Sequence, residues 1–309
     1  MIVKFSRAAV GAMLLLAART AFAGESPSNV RGGKWSVAQE TATECATCTV
    51  HGPFQFLAAN HGTGKNIRFS LNGMVDRIKS VRLLGDRAVV IGDLSSSGDM
   101  VTVYDLGGNR LLDEFAAINS TISPNGQFLA FQHFHPRHAD TEDMSDVVLL
   151  YDLSRSQKEN RTPDNQAKPN MSNAGIPVFP VKNRVDRRIL PYPGSNYVVY
   201  PQFIWSPSGK TLAFVAEATS ISALMEKDHT TTEIIAVAIE ISGSIADAKA
   251  YLRRIPVNDL LRPTFQNKKG YKFHVGRMSL SDDGGLRFDG AEMNPGASSN
   301  LISTHDEAY

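Results

Sequence analysis

Cysteine is scarce: Cys45 and Cys48 are the only two among 309 residues. That excludes a disulfide-stapled mini-domain, so the fold must be held by burial. An excess of one charge is missing too, with 32 Lys and Arg against 31 Asp and Glu. There is no overall basic field for nucleic acid, and no polybasic stretch suits a membrane surface. After the first stretch of chain, no apolar run is long enough to cross a bilayer core of ~30 Å. A phosphate-binding loop is also lacking. Gly62-Thr63-Gly64-Lys65-Asn66 has no first glycine at the required spacing and no hydroxyl residue after the lysine. Neither a Gly-x-Ser-x-Gly elbow nor a His-Glu-x-x-His helix occurs.

What is present begins with a targeting pattern. Lys4 and Arg7 precede an apolar run from Ala8 to Ala18, and Ala21-Phe22-Ala23 is a small-x-small cleavage site. Residues 1–23 therefore read as a signal peptide, with a periplasmic or secreted mature protein and no transmembrane segment after its removal. The alternative is a retained N-terminal anchor. Residues 24–34, rich in Gly, Ser, Pro and Asn, are expected to form a flexible leader, and residues 291–309 a disordered tail. In an oxidising compartment Cys45 and Cys48 form a local disulfide or stay as quiet thiols. His51 stands too far from Cys48 for haem attachment, and a zinc knuckle would need a fourth ligand such as His61.

The strongest pattern is strand, tight turn, strand. It runs from Ile204 to Val215 through Ser206-Pro207-Ser208-Gly209, and from Ile122 to Phe131 through Ser123-Pro124-Asn125-Gly126. Proline pre-sets φ for the turn, glycine supplies its left-handed position, and β-branched and aromatic residues follow. Tyr-Asp-Leu ends further strands at 104–106 and 151–153. These spacings sit near the roughly 40–45 residues of one propeller blade. Strands are expected at 78–84, 87–92, 100–106 and 110–116, and again at 119–123, 128–134 and 147–153. Further strands are expected at 197–205, 211–217 and 233–241, with a short helix or outer strand at 246–255. A weaker copy of the turn unit covers 278–288. Residues 154–196 hold six prolines and read as a degenerate blade or a long insertion, with an edge strand near 176–181.

The two Ser-Pro-x-Gly-x-x-Leu-Ala-Phe copies resemble the repeat of TolB-type, WD40-like β-propellers. Asn125 and Ser208 depart from that family's turn aspartate, and the copy at 278–288 lacks the proline. The resemblance implies an all-β fold: a β-propeller of about five to seven four-stranded blades, some degenerate, over residues 35–290. It also implies a binding platform, since such propellers mostly bind other proteins and some are appended to peptidases.

In such blades the loops joining second and third strands share the rim opposite the Ser-Pro-x-Gly turns. Those at 93–99, 135–146 and 217–231 carry Asp93 and Asp99, then Asp140, Glu142, Asp143 and Asp146, then Glu217, Glu226 and Asp228. With His133, His135 and His138 they define the expected binding face for a protein or peptide of the cell envelope. The plain alternative is a solvated rim. A second function class is a metal-assisted hydrolase or lyase, with a divalent metal on His133, His135, His138 and Asp140. No other cofactor is called for.

Overall fold

In the computed structural model the described residues are 29–40, 54–94, 98–133, 146–166, 171–180, 196–219, 233–255, 278–282, 286–289 and 301–303. They form antiparallel strands with one turn of helix, Pro163–Gln166, and one 3-10 turn, Ile245–Asp247. The first unit is β1 (Asn29–Gly32), β2 (Trp35–Glu40), β3 (Gln55–Asn60) and β4 (Asn66–Ser70), paired in chain order. The second is β5 (Val75–Leu84), β6 (Arg87–Leu94), β7 (Gly98–Asp105) and the first half of β8 (Arg110–Ile122). The third takes the rest of β8, then β9 (Phe128–His133), β10 (Val148–Asp152) and β11 (Ile176–Phe179). In the fourth, β12 (Asn196–Val199) and β13 (Ile204–Trp205) both pair with β14 (Thr211–Thr219), followed by β15 (Glu233–Glu240) and β16 (Lys249–Ile255). The fifth is β17 (Met278–Leu280), β18 (Leu286–Asp289) and β19 (Leu301–Ser303).

The two strands expected at 110–116 and 119–123 are a single strand, β8. Ala117 pairs with Asp99 on one side and His133 on the other. The ladder to β9 shifts register between Ile118 and Thr121, where Asn119 adopts φ 55°. A bulge with a left-handed asparagine re-aims the chain without ending it. One strand thus closes the second unit and opens the third, and the two units share a seven-stranded sheet.

Strands also occur within the segments expected as leader and tail. Part of the expected leader is β1, whose Val30 is buried and pairs with Val37, with Gly33 at φ 58° closing the hairpin. Backbone pairing along β2 and burial of Val30 in the first unit's cluster hold this segment. Part of the expected tail is β19, which extends the fifth sheet. The edge strand expected near 176–181 is β11, and it completes the third unit. Asn125 Nδ2 donates to the Ser208 carbonyl at 2.9 Å, so the third and fourth turns touch, and among the described residues no further blade stands between them.

Strands such as β6 are apolar on both faces because both are buried between units. Ala88 and Val90 face the first unit's Trp35, Phe56 and Phe69. Val89 and Ile91 face Phe115, Phe131 and Tyr151. A third cluster joins Phe128, Leu150 and Phe179 to Phe214, Ile235 and Val237 of the fourth unit.

One end of these units is fastened turn to turn. Lys34 Nζ lies 2.9 Å from Asp86, and Trp35 Nε1 donates to Asp86 at 2.7 Å. These two hydrogen bonds, that from Trp35 first, hold the Asp86 carboxyl below its usual value. Leu84 packs against Gly126, Asn125 bonds to Ser208, and the Ser208 N–H donates to Asp282 at 2.7 Å. Five successive units are linked in this way.

The long connection between β10 and β11 is bolted down by a buried ion pair. Arg161 donates to both oxygens of Asp113 on β8, at 2.8 and 3.0 Å. Tyr151 and Gln157 also donate to Asp113, and Asn173 accepts from Arg161 Nε. Burial, then the Asp113 carboxylate, pushes the Tyr151 phenol well above its ordinary range.

Candidate interaction rim

The connections from second to third strand leave from the end opposite the fastened turns, since successive strands are antiparallel. β2 ends at Glu40 and β3 begins at Gln55; β9 ends at His133 and β10 begins at Val148; β14 ends at Thr219 and β15 begins at Glu233. By contrast, β6 and β7 are joined tightly, from Leu94 to Gly98. Antiparallel order therefore brings these three connections, and that from Asp289 to Leu301 in the fifth unit, to one rim.

Asp93 and Asp99 sit directly opposite each other on β6 and β7 at this rim. Lys79 bridges them, with Nζ 2.5 Å from Asp93 and 2.6 Å from Asp99. Arg77 makes a second, close ion pair with Asp93. The other Asp99 oxygen accepts the Ser120 N–H at 2.7 Å, and the Asp99 side chain is only 3% exposed. Asp99 therefore ties β5 and β8 to β7 and has little surface to offer a partner.

Burial raises the Asp93 carboxyl, but hydrogen bonds from Lys79 and Arg77 outweigh it, and the net shift is downward from 3.8. Burial lowers the Lys79 ammonium, but its bonds to Asp93 and Asp99 prevail, and the net shift is upward from 10.5. The cluster's contribution to stability is therefore full between those two values. It fades as pH falls through the folded value of Asp93, and again as pH rises through the folded value of Lys79. Lys79 is 42% exposed, so water screens the pair and the effect should stay below about 1 kcal/mol. Urea midpoints of the wild type and Asp93→Asn should differ by a constant amount at neutral pH and converge below 3.8. A difference independent of pH would remove the ion pair as its cause.

His133 stands opposite Ala117, in line with Asp99 across β8. Its Nε2 donates to the Ser172 carbonyl at 2.7 Å, so that nitrogen is committed to the β10–β11 connection. Beside it, Gln132 donates to the Val199 carbonyl at 2.8 Å, and Asp146 accepts the Val199 N–H at 2.8 Å. Asn119 in turn donates to Gln132 at 2.7 Å. Together Gln132 and Asp146 clamp Val199 of β12 to the third unit. Burial pushes the neighbouring Tyr197 phenol up to about 12.

Of the expected site residues, the rim thus brings together Asp93, Asp99, His133 and Asp146. Glu217 lies within β14, its backbone paired with Val198 and Ile234. His135, His138, Asp140, Glu142, Asp143, Glu226, Asp228, Cys45 and Cys48 lie outside the described residues. Among the described residues no group of three or more His, Cys, Asp or Glu is placed to hold a metal. Sequence reasoning missed the partners: Arg77, Lys79, Ser120 and Gln132. Two cations two residues apart in a strand beside Asp93 were a readable signal; the contacts of Ser120 and Gln132 depend on the β8 bulge and left none.

No protein-family model matches the sequence. No curated protein matches it either. Among solved structures, the chain is similar to the hydrazine synthase of Kuenenia stuttgartiensis (14% identity, TM-score 0.38, covering 84% of this chain and 60% of that one). It is similar to TolB from Acinetobacter baumannii (12%, TM-score 0.30, 88% and 49%). It is also similar to the β-propeller domain of the Trilobed protease from Pyrococcus furiosus (10%, TM-score 0.31, 84% and 75%). The chain thus spans less than two thirds of the first two proteins. Similarity of this degree assigns no activity. No described helix is long and apolar enough to cross a membrane.

Proposed function

We propose that this chain is an exported β-propeller-type scaffold whose loop-bearing rim binds a protein or peptide of the cell envelope. One observation carries the reading. Hydrogen bonds and close packing fasten the turns of successive units at one end, while four long connections leave from the other. Rigid strands presenting long loops on one side are suited to recognition, because loops can vary while the scaffold stays fixed. The wall of that rim is already neutralised, since Lys79 and Arg77 cancel Asp93 and Asp99. Recognition therefore falls to the loops themselves, including the acids at 140–143.

The test is affinity capture from the organism's own envelope extract, using residues 24–309 as bait. We expect a partner that is lost when Asp140, Glu142 and Asp143 are replaced by alanine. It should be kept when Lys65, on the opposite rim, is replaced. Equal capture by all baits would overturn the proposal. A partner or activity lost only with chelator would favour the metal-dependent hydrolase or lyase at His133, His135, His138 and Asp140.

A further inference from the structure

The sequence contains two Asn-Gly pairs, Asn72-Gly73 and Asn125-Gly126. In such a pair the glycine has no side chain to hinder attack by its own backbone nitrogen on the preceding amide. The nitrogen bonds to the asparagine Cγ, the Cγ–Nδ2 bond breaks, and ammonia leaves carrying the proton from the glycine N–H. Water then opens the resulting succinimide at either carbonyl, giving aspartate or isoaspartate. The attack needs a glycine N–H free of other partners.

The two pairs occupy different places in their turns. The Val75 N–H donates to the Asn72 carbonyl at 3.2 Å, so residues 72–75 form a turn with Gly73 in second position. A turn leaves that N–H pointing outward. The Gly73 N–H makes no hydrogen bond among the described residues, and nothing lies within 4 Å of the place a Cβ would take. In the other turn Gly126 is in fourth position, and its N–H is the closing donor to the Ser123 carbonyl at 2.9 Å. Both asparagine side chains are held: Asn72 Oδ1 accepts the Met74 N–H at 3.1 Å, and Asn125 Oδ1 accepts from Ser123 Oγ and the Gln127 N–H while its Nδ2 donates to Ser208. The glycine N–H is therefore what distinguishes the two pairs. Leu84 closes over Gly126.

We infer that Asn72 is a site of spontaneous deamidation in the folded protein, and that Asn125 is protected by its turn and by the neighbouring units. Conversion at Asn72 has a structural consequence. Its Nδ2 donates to Glu114 Oε2 at 3.1 Å, so the product places a carboxylate against a carboxylate. The isoaspartate form also adds a backbone carbon just before β5.

The experiment is peptide mapping by mass spectrometry after incubating the folded protein at mildly alkaline pH, with a parallel sample in urea. Folded protein should accumulate aspartate and isoaspartate at 72 and not at 125; in urea both sites should convert. Gly73→Ala, which has room for its methyl group, should slow conversion at 72 by about tenfold or more while leaving the thermal midpoint of fresh protein unchanged. Aged wild-type protein should show a lowered midpoint, and aged Gly73→Ala should not. Conversion at 125 as fast as at 72 in folded protein would overturn the inference. So would a silent Asn72 in folded protein that converts in urea.

Discussion

Replacing Arg161 with methionine is expected to cost about 3–5 kcal/mol. Both partners of the Arg161–Asp113 pair are almost wholly buried, with side chains 1% and 0% exposed. Two parallel hydrogen bonds join them, and Tyr151, Gln157 and the Glu114 N–H complete the shell of Asp113. Without the guanidinium, a carboxylate stays in the core with three neutral donors, the Tyr151 hydroxyl, the Gln157 amide and the Glu114 N–H, and no ion-pair partner. The cost is that of the stranded charge rather than the worth of the pair. A double variant, Arg161→Met with Asp113→Leu, should therefore recover most of the loss. Urea unfolding of the wild type, both single variants and the double variant measures this directly. A single variant costing less than about 1 kcal/mol would mean that the site admits water.

The second large effect falls on the turns. Gly33, Gly85, Gly126 and Gly209 all have left-handed backbones, with φ between 58° and 72°. Alanine at any of them should lose about 1–2 kcal/mol from that conformation alone. At Gly33 and Gly85 nothing lies within 4 Å of where the alanine methyl would stand, so the loss should end there. A methyl group on Gly126 would come within 2.5 Å of Leu84, and one on Gly209 within 2.7 Å of Asn125. Asn125 cannot yield without breaking its bond to Ser208. These two variants should lose a further ~1–3 kcal/mol, as overpacked sites do. Thermal or urea unfolding of the four alanine variants side by side makes the comparison. Equal losses at all four glycines would mean that the turns of neighbouring units do not press on one another in solution.

The glycine comparison also marks how far the sequence could be read. Ser-Pro-x-Gly announces a turn because proline and glycine act within a few residues of themselves, and the turns at 123–126 and 206–209 stand where that chemistry puts them. The apolar runs of β6, β9, β14 and β15 were legible for the same local reason, a strand buried on both faces. At the rim, Asp93, Asp99 and His133 could be selected as polar residues near loops. Their actual roles, bridged by Lys79 or bonded to Ser172, could not.

Local chemistry thus settles the apolar strands β6, β9, β14 and β15, the Ser-Pro-x-Gly turns and the near balance of charge, because each depends on neighbours in the chain. Contacts between distant residues settle the rest. Asn125 meets Ser208, Asp113 meets Arg161, and Ala117 serves two units at once. None of these pairs carries a mark in the sequence, since a hydrogen bond or an ion pair depends on where two groups are brought in space. Only the packing of one sheet against the next brings them there.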